Sequence, residues 1–95
     1  PRERGQHRLV GTRAMTVWLT DGTIAGQLRT PGFVLVRAPG TPRVLTRIAQ
    51  VERRDQGPSL LIRPDGYVAW AGTGDGWRAV LALWAPAASE PPAKL

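Results

Sequence analysis

The chain has 95 residues, a formal net charge of +6 and no cysteine. That length supports one small domain with a modest core. Without thiols, disulfides, thiolate metal sites and Cys-x-x-Cys redox chemistry are excluded. The charge is almost entirely arginine, Lys94 being the only lysine. The arginines are scattered, and the densest sets are Arg2, Arg4, Arg8 and Arg13 and then the Arg53–Arg54 pair. A nucleic-acid surface asks for a stripe of cations interleaved with aromatic residues on one face. None is visible in the linear sequence, so the arginines read as solvated faces and a basic linker. No apolar run approaches the roughly 18–20 residues of a membrane span, and the start lacks the pattern of a signal peptide. A soluble, cytoplasmic protein is expected, and the initial Pro1 suggests a chain processed or cut from something longer.

Residues 1–12, PRERGQHRLVGT, are polar and irregular and read as a linker or lead-in. The domain proper is expected over 13–85, with 86–95 as a flexible tail rich in Pro and Ala. In AMTVWLTDGT, Met15, Val17 and Leu19 alternate with Thr16, Trp18 and Thr20, which is the period of a strand. Asp21-Gly22 ends it as a turn. IAGQL, 24–28, offers one helical turn with Ile24 and Leu28 on one face, before Pro31-Gly32 breaks the chain. FVLVRA, 33–38, is a short continuous apolar run, as expected of a strand buried on both faces in mid-sheet.

Residues 41–54 read two ways. Thr41-Pro42 resembles a helix start, and Val44, Leu45, Ile48 and Val51 fit a helical stripe. Val, Thr and Ile also favour strands, with Leu45, Ala49 and Val51 on one strand face. The expectation is a helix from 42 passing into a short strand near 49–53.

Next, LLIRPDGYVAWAG reads as a hairpin. Ser59–Arg63 forms the first strand, Pro64 and Asp65 the centre of a type I turn, and Gly66 the left-handed position. Tyr67–Ala71 returns, with Val68 and Trp70 expected on one face and Tyr67, Ala69 and Ala71 on the other. Thr73–Gly76 is a loop, with Asp75 placed to cap the following helix. Trp77, Val80, Leu81 and Trp84 at i, i+3, i+4 and i+7 predict an amphipathic helix of about three turns, ended by Pro86. Core packing is the favoured role for Trp77 and Trp84 over stacking on a ligand. Strands on either side of a crossover, then a hairpin and a helix, predict a small α/β sandwich with a mixed sheet.

Sites of chemistry are sparse. His7 is the only histidine and has no Cys or carboxylate cluster around it, so it is not a metal site. There is no G-x-G-x-x-G after a strand and no P-loop lysine motif. GTGDG, 72–76, precedes a helix but has no cation in the loop and carries Asp75, which repels anions. Ser59 and Ser89 lack a nucleophile-elbow setting. Asp65 stands at a turn tip without a His or second acid, which argues against acid–base catalysis. No catalytic, cofactor-binding or metal-binding residue is assigned.

Two stretches resemble a known family. GTRAMTVWLTDGT, Gly11–Thr23, is similar to the G-x-R-A-x-x-x-W-L-x-D-G-T opening of the C-terminal thioredoxin-like domain of FAD-dependent aromatic and polyketide hydroxylases, the flavoprotein monooxygenases of the phenol-hydroxylase type. Leu60–Gly72 is similar to that domain's L-x-R-P-D-G-x-V-A-W hairpin, and GFVLV, 32–36, to the strand between them. The resemblance covers about 11–85. It implies a thioredoxin-like fold without the thioredoxin cysteines, abbreviated here because the interval from Phe33 to Leu60 is short. It implies a parent oxidoreductase that uses FAD and NAD(P)H, with the nucleotide glycines and the substrate pocket outside these residues. The domain would pack against the FAD-binding and substrate domains, and in some members support assembly such as a homodimer. Arg63, Pro64, Asp65, Gly66, Val68, Ala69 and Trp70 carry over as fold-defining hairpin residues; the family often has Arg where this chain has Ala71. Two other readings compete: a freestanding basic module that binds a protein or nucleic acid, and a self-sufficient enzyme, the latter disfavoured because partnered titratable groups are missing.

Overall fold

The computed structural model describes residues 10–13, 17–27 and 32–86. The expectations for His7, Met15, Leu28 and the C-terminal tail fall outside them. A 3₁₀ turn at Ala25–Gln27 comes first, then β1 (Val34–Arg37), β2 (Ala49–Glu52), β3 (Ser59–Ile62), β4 (Val68–Gly72) and α1 (Trp77–Trp84). The sheet order is β2-β1-β3-β4, with β1 and β2 parallel and both the β1–β3 and β3–β4 pairs antiparallel. A mixed four-stranded sheet with a helix fits a small thioredoxin-like α/β domain.

β1 is central, and Val34, Leu35 and Val36 are all buried. An uninterrupted apolar run belongs there because both faces of the strand are covered. Alternation then sorts the core into two clusters. On one face Val34 and Val36 meet Leu60, Ile62, Val68 and Ala71, under Val17, Leu19 and Ala25. On the other, Leu35 and Leu61 meet Trp77 and Leu81 of α1. Each fully buried Leu or Ile stabilises the fold by about 1.5–3 kcal/mol relative to exposure.

Four expectations are corrected. No helix begins at 42. Residues 41–46 are irregular, 47–48 bend, and β2 follows. Their backbone groups are satisfied by side chains instead. The Gln50 amide donates to the Val44 carbonyl (2.7 Å) and accepts from the Val44 N–H (3.0 Å). Arg37 Nη1 donates to the Thr41 carbonyl, and Arg78 Nη2 to the Leu45 carbonyl. The Thr41 hydroxyl donates back to the Ala38 carbonyl rather than capping a helix. The supposed stripe is also split: Val44 and Ile48 pack on the helix face of the sheet, Val51 packs on the other, and Leu45 is exposed.

Second, Val68 and Trp70 lie on opposite faces. Leu61 pairs with Trp70 but Ile62 with Val68, so Ala69 is an extra residue in β4. Such a bulge reverses the alternation beyond it. Val68 therefore joins one cluster, while Ala69 and Trp70 pack against the other.

Third, α1 has eight residues, and its N-cap is Gly76 without a side-chain cap bond. Asp75 contributes its backbone carbonyl, which accepts from Arg78 N–H at 3.0 Å. Fourth, Trp77 is buried as expected, but Trp84 is 56% exposed.

Short pieces of the N-terminal segment line both sheet edges. Gly11 N–H donates to Val68 O, and Val68 N–H to Thr12 O, each at 2.8 Å. At the other edge Thr20 N–H donates to Glu52 O and Arg54 N–H to Trp18 O. Covering edges in this way blunts sheet-to-sheet association.

Candidate functional site

The hairpin turn is built from five residues. Gly66 N–H donates to Arg63 O and Arg63 N–H to Tyr67 O, both at 2.8 Å, with Gly66 at φ +90°. That is a type I turn closed by a glycine bulge, with Pro64 and Asp65 at its centre. Asp65 is fully engaged there: Oδ1 accepts the Tyr67 N–H at 3.1 Å, and Oδ2 pairs with Arg63. Partial desolvation works to raise the Asp65 pKa. The Arg63 hydrogen bond, the Tyr67 N–H and the Arg63 charge outweigh it and hold the carboxyl below its ordinary 3.8. Such a group stays ionised at neutral pH, which suits a turn lock better than a proton donor.

Around the hairpin, cations lie over rings. Arg63 sits 5.5 Å from the Tyr67 centroid and 5.1 Å from that of Trp84; Arg13 sits 5.0 Å from Tyr67. Phe33 tilts against Trp84 with centroids 6.5 Å apart. Leu83, the residue before Trp84 in α1, is 84% exposed.

The Arg53–Arg54 pair divides, and Arg53 departs from the expectation of a solvated face. It is 5% exposed, donates from Nε to Asp55 at 3.0 Å and from Nη1 to the Pro58 carbonyl at 2.7 Å, and so staples the β2–β3 connection. The Arg53–Asp55 hydrogen bond is the main cause holding the Asp55 carboxyl below 3.8, against the opposing effect of burial. Arg54 stacks on Trp18. A pair of adjacent arginines gives no linear sign of this split; the signal present is strand alternation running on from β2.

GTGDG has a packing role. A Cβ on Gly72 or Gly76 would come within 3.0 or 3.2 Å of the Trp70 indole, so the loop backbone lies directly on that ring.

Between the irregular crossover and the start of α1 lies a pocket of about 340 Å³. Leu35 and Trp77 are its buried lining, with Pro42 and Val44 on the crossover side. Arg37 and Ser59 supply polar groups, and exposed Asp75 stands beside them. No linear signal marks this pocket, because its lining is gathered from β1, the crossover, β3 and the loop before α1. Among the described residues there is no group of three or more His, Cys, Asp or Glu arranged for a metal, and no helix long and apolar enough to cross a membrane.

No curated protein matches the chain at a significant level. The sequence model of the family described as aromatic-ring hydroxylase, C-terminal, matches residues 7–88. The chain belongs to that family.

Proposed function

We propose that this aromatic-ring hydroxylase C-terminal domain is the non-catalytic closing domain of a cytoplasmic FAD-dependent monooxygenase. In this reading the parent draws electrons from NAD(P)H and hydroxylates an aromatic or polyketide substrate. FAD binding and oxygen chemistry belong to the other domains. Residues 13–85 form the packed unit and 86–95 a tail. Residues 1–12 lead in from the rest of the enzyme, with Gly11 and Thr12 already bonded to β4.

The family match across 7–88 carries the reading. The state of the side chains supports it. Asp21, Asp55 and Asp65 each hold a turn or an ion pair, and Arg13, Arg54, Arg63 and Arg78 each lie over an aromatic ring. Groups committed in this way hold a scaffold together. Half-exposed Trp84 with Arg63 over its ring has the exposed aromatic and arginine character of a domain-packing surface.

The test is to read and express the coding frame that contains this chain. We expect a strand–G-x-G-x-x-G–helix unit upstream, a flavin spectrum from the full product, and substrate-dependent NAD(P)H oxidation. The 95-residue chain alone should show neither flavin binding nor turnover. A frame that opens just before Pro1, or turnover by the chain itself, overturns the proposal.

A further inference from the structure

The crossover 41–48 is irregular, yet its backbone is held in place. Gln50 bonds both polar groups of Val44, Arg37 the Thr41 carbonyl and Arg78 the Leu45 carbonyl. Exposure alternates along it: Val44, Thr46 and Ile48 are half-buried, whereas Arg43, Leu45 and Arg47 are exposed. On this face of the sheet α1 lies over β3 and β4. The crossover is the neighbouring cover, and the pocket of about 340 Å³ is the gap where the two covers meet. Pro42 and Val44 form its outer apolar wall, with Leu35 and Trp77 buried behind them. One exposed leucine is ordinary. Here Leu45, 68% exposed, follows directly on Val44, so the apolar wall continues onto the outer surface.

Charge narrows what can cover this surface. Arg37, Arg43, Arg47 and Arg78 belong to it, against Asp75 in the pocket lining and Glu52, whose Oε2 already accepts the Gly40 N–H. Arg43 has no ion pair among the described residues. A second copy meeting this face with its own would set like charges together. A nucleic acid or a lipid headgroup would engage the cations and leave the apolar pocket unfilled. An acidic polypeptide with an apolar side chain uses both features. We propose that the crossover and its pocket are the docking face for an acidic segment of the parent enzyme's other domains. That segment inserts one large apolar side chain over Pro42 and Val44 and sets a carboxylate on Arg43. The assignment rests on the reading of this chain as a closing domain. Because the crossover backbone is already bonded, little ordering remains to be done on docking.

Amide hydrogen exchange is compared between the full product of the coding frame and the 95-residue chain. Exchange across 43–46 should be at least about tenfold slower in the full product. The double variant Arg43→Asp/Leu45→Asp changes exposed positions and should fold; in it the difference between full product and isolated chain should disappear. Val44→Trp, which fills the pocket and keeps the arginines, should also remove it. Equal exchange in a flavin-bearing full product would overturn the docking face and leave the parent reading standing. A frame with no upstream domain would remove both. Protection that survives the double variant, or that falls only near Trp84, would overturn the docking face as well. Leu45-dependent binding of the 95-residue chain to phosphatidylserine vesicles would overturn it by giving the surface to a membrane.

Discussion

Two turns in this domain share one chemistry and support different amounts of structure. In Leu19–Thr23 and in Arg63–Tyr67 the third residue is Asp and the fourth is Gly at φ +90°. In both, the glycine N–H donates to the first carbonyl, the first N–H to the fifth carbonyl, and the fifth N–H to the aspartate Oδ1. Yet the second turn joins β3 and β4, whereas among the described residues the first closes a single isolated bridge, Trp18 with Ile24. The turn therefore sets where the chain reverses and not how far the pairing runs. Extent is set by the flanks. Leu60, Leu61 and Ile62 are buried on both faces, against β1, β4 and α1, while Val17, Leu19 and Ala25 beside the first turn are buried on one face only, with Trp18 exposed between them and a 3₁₀ turn beginning at Ala25.

If flanks decide extent, the largest effect comes from emptying one. Leu61 is fully buried between β1 and α1. Leu61→Ala should cost about 2–5 kcal/mol, read as a drop in the denaturant midpoint at constant slope. For so small a domain that is a large share of total stability. A loss below about 1 kcal/mol would mean that the flank is not what holds the hairpin.

The turns themselves come next. Valine at Gly66 or Gly22 forces a β-branched residue into the left-handed region, at about 1–3 kcal/mol each. The two changes should differ in reach. Gly66→Val should lower the melting temperature of the whole sheet. Gly22→Val should mainly hasten amide exchange at Leu19 and Ala25, whose N–H groups bond within that hairpin. An unchanged melting temperature for Gly66→Val would contradict the turn geometry. Equal global losses would erase the difference between the two regions.

Smaller again is Arg63→Met. Arg63 pairs with exposed Asp65 and lies over Tyr67 and Trp84, where the first turn has Leu19 at the equivalent place. Exposed pairs and ring contacts of this kind contribute about 1 kcal/mol or less. A greater loss, measured by thermal melting, would make the cation part of the hairpin's core.

The parts legible in the sequence were those with a strong local period or a turn signature: the apolar run 33–38, the Pro-Asp-Gly reversal, and the Trp77–Leu81 face of α1. The missed parts depend on contacts made across the chain. Nothing in TPRVLTRIAQ announces that Gln50 will grip both polar groups of Val44, which keeps the crossover irregular and opens the pocket. The extra residue in β4 is equally silent, because VAWA alternates acceptably in either register, and the bulge appears only when Leu61 and Ile62 choose their partners. Arg53 was obscured by Arg54, since adjacent cations read as solvent-exposed until one is seen bonded to Pro58.

The two turn aspartates give the finest comparison. Asp21 is held below its ordinary 3.8 by the Thr23 hydroxyl and then the Thr23 N–H, both uncharged partners. Asp65 is held below it despite desolvation, through the Arg63 hydrogen bond and charge and the Tyr67 N–H. A depressed folded pKa stabilises above the unfolded value and loses that contribution as pH falls through the folded one. Asp21→Asn and Asp65→Asn should each lower the melting temperature slightly at about pH 7, and each difference should shrink and vanish as pH falls through the lowered folded pKa. Salt separates them. At high ionic strength the Asp65→Asn difference should shrink, because a charge pair at the surface is screened, while the Asp21→Asn difference persists because its partners carry no charge. If both respond to salt alike, the Arg63 pair adds nothing to the second turn, and its longer strands owe their stability to the flanking core alone.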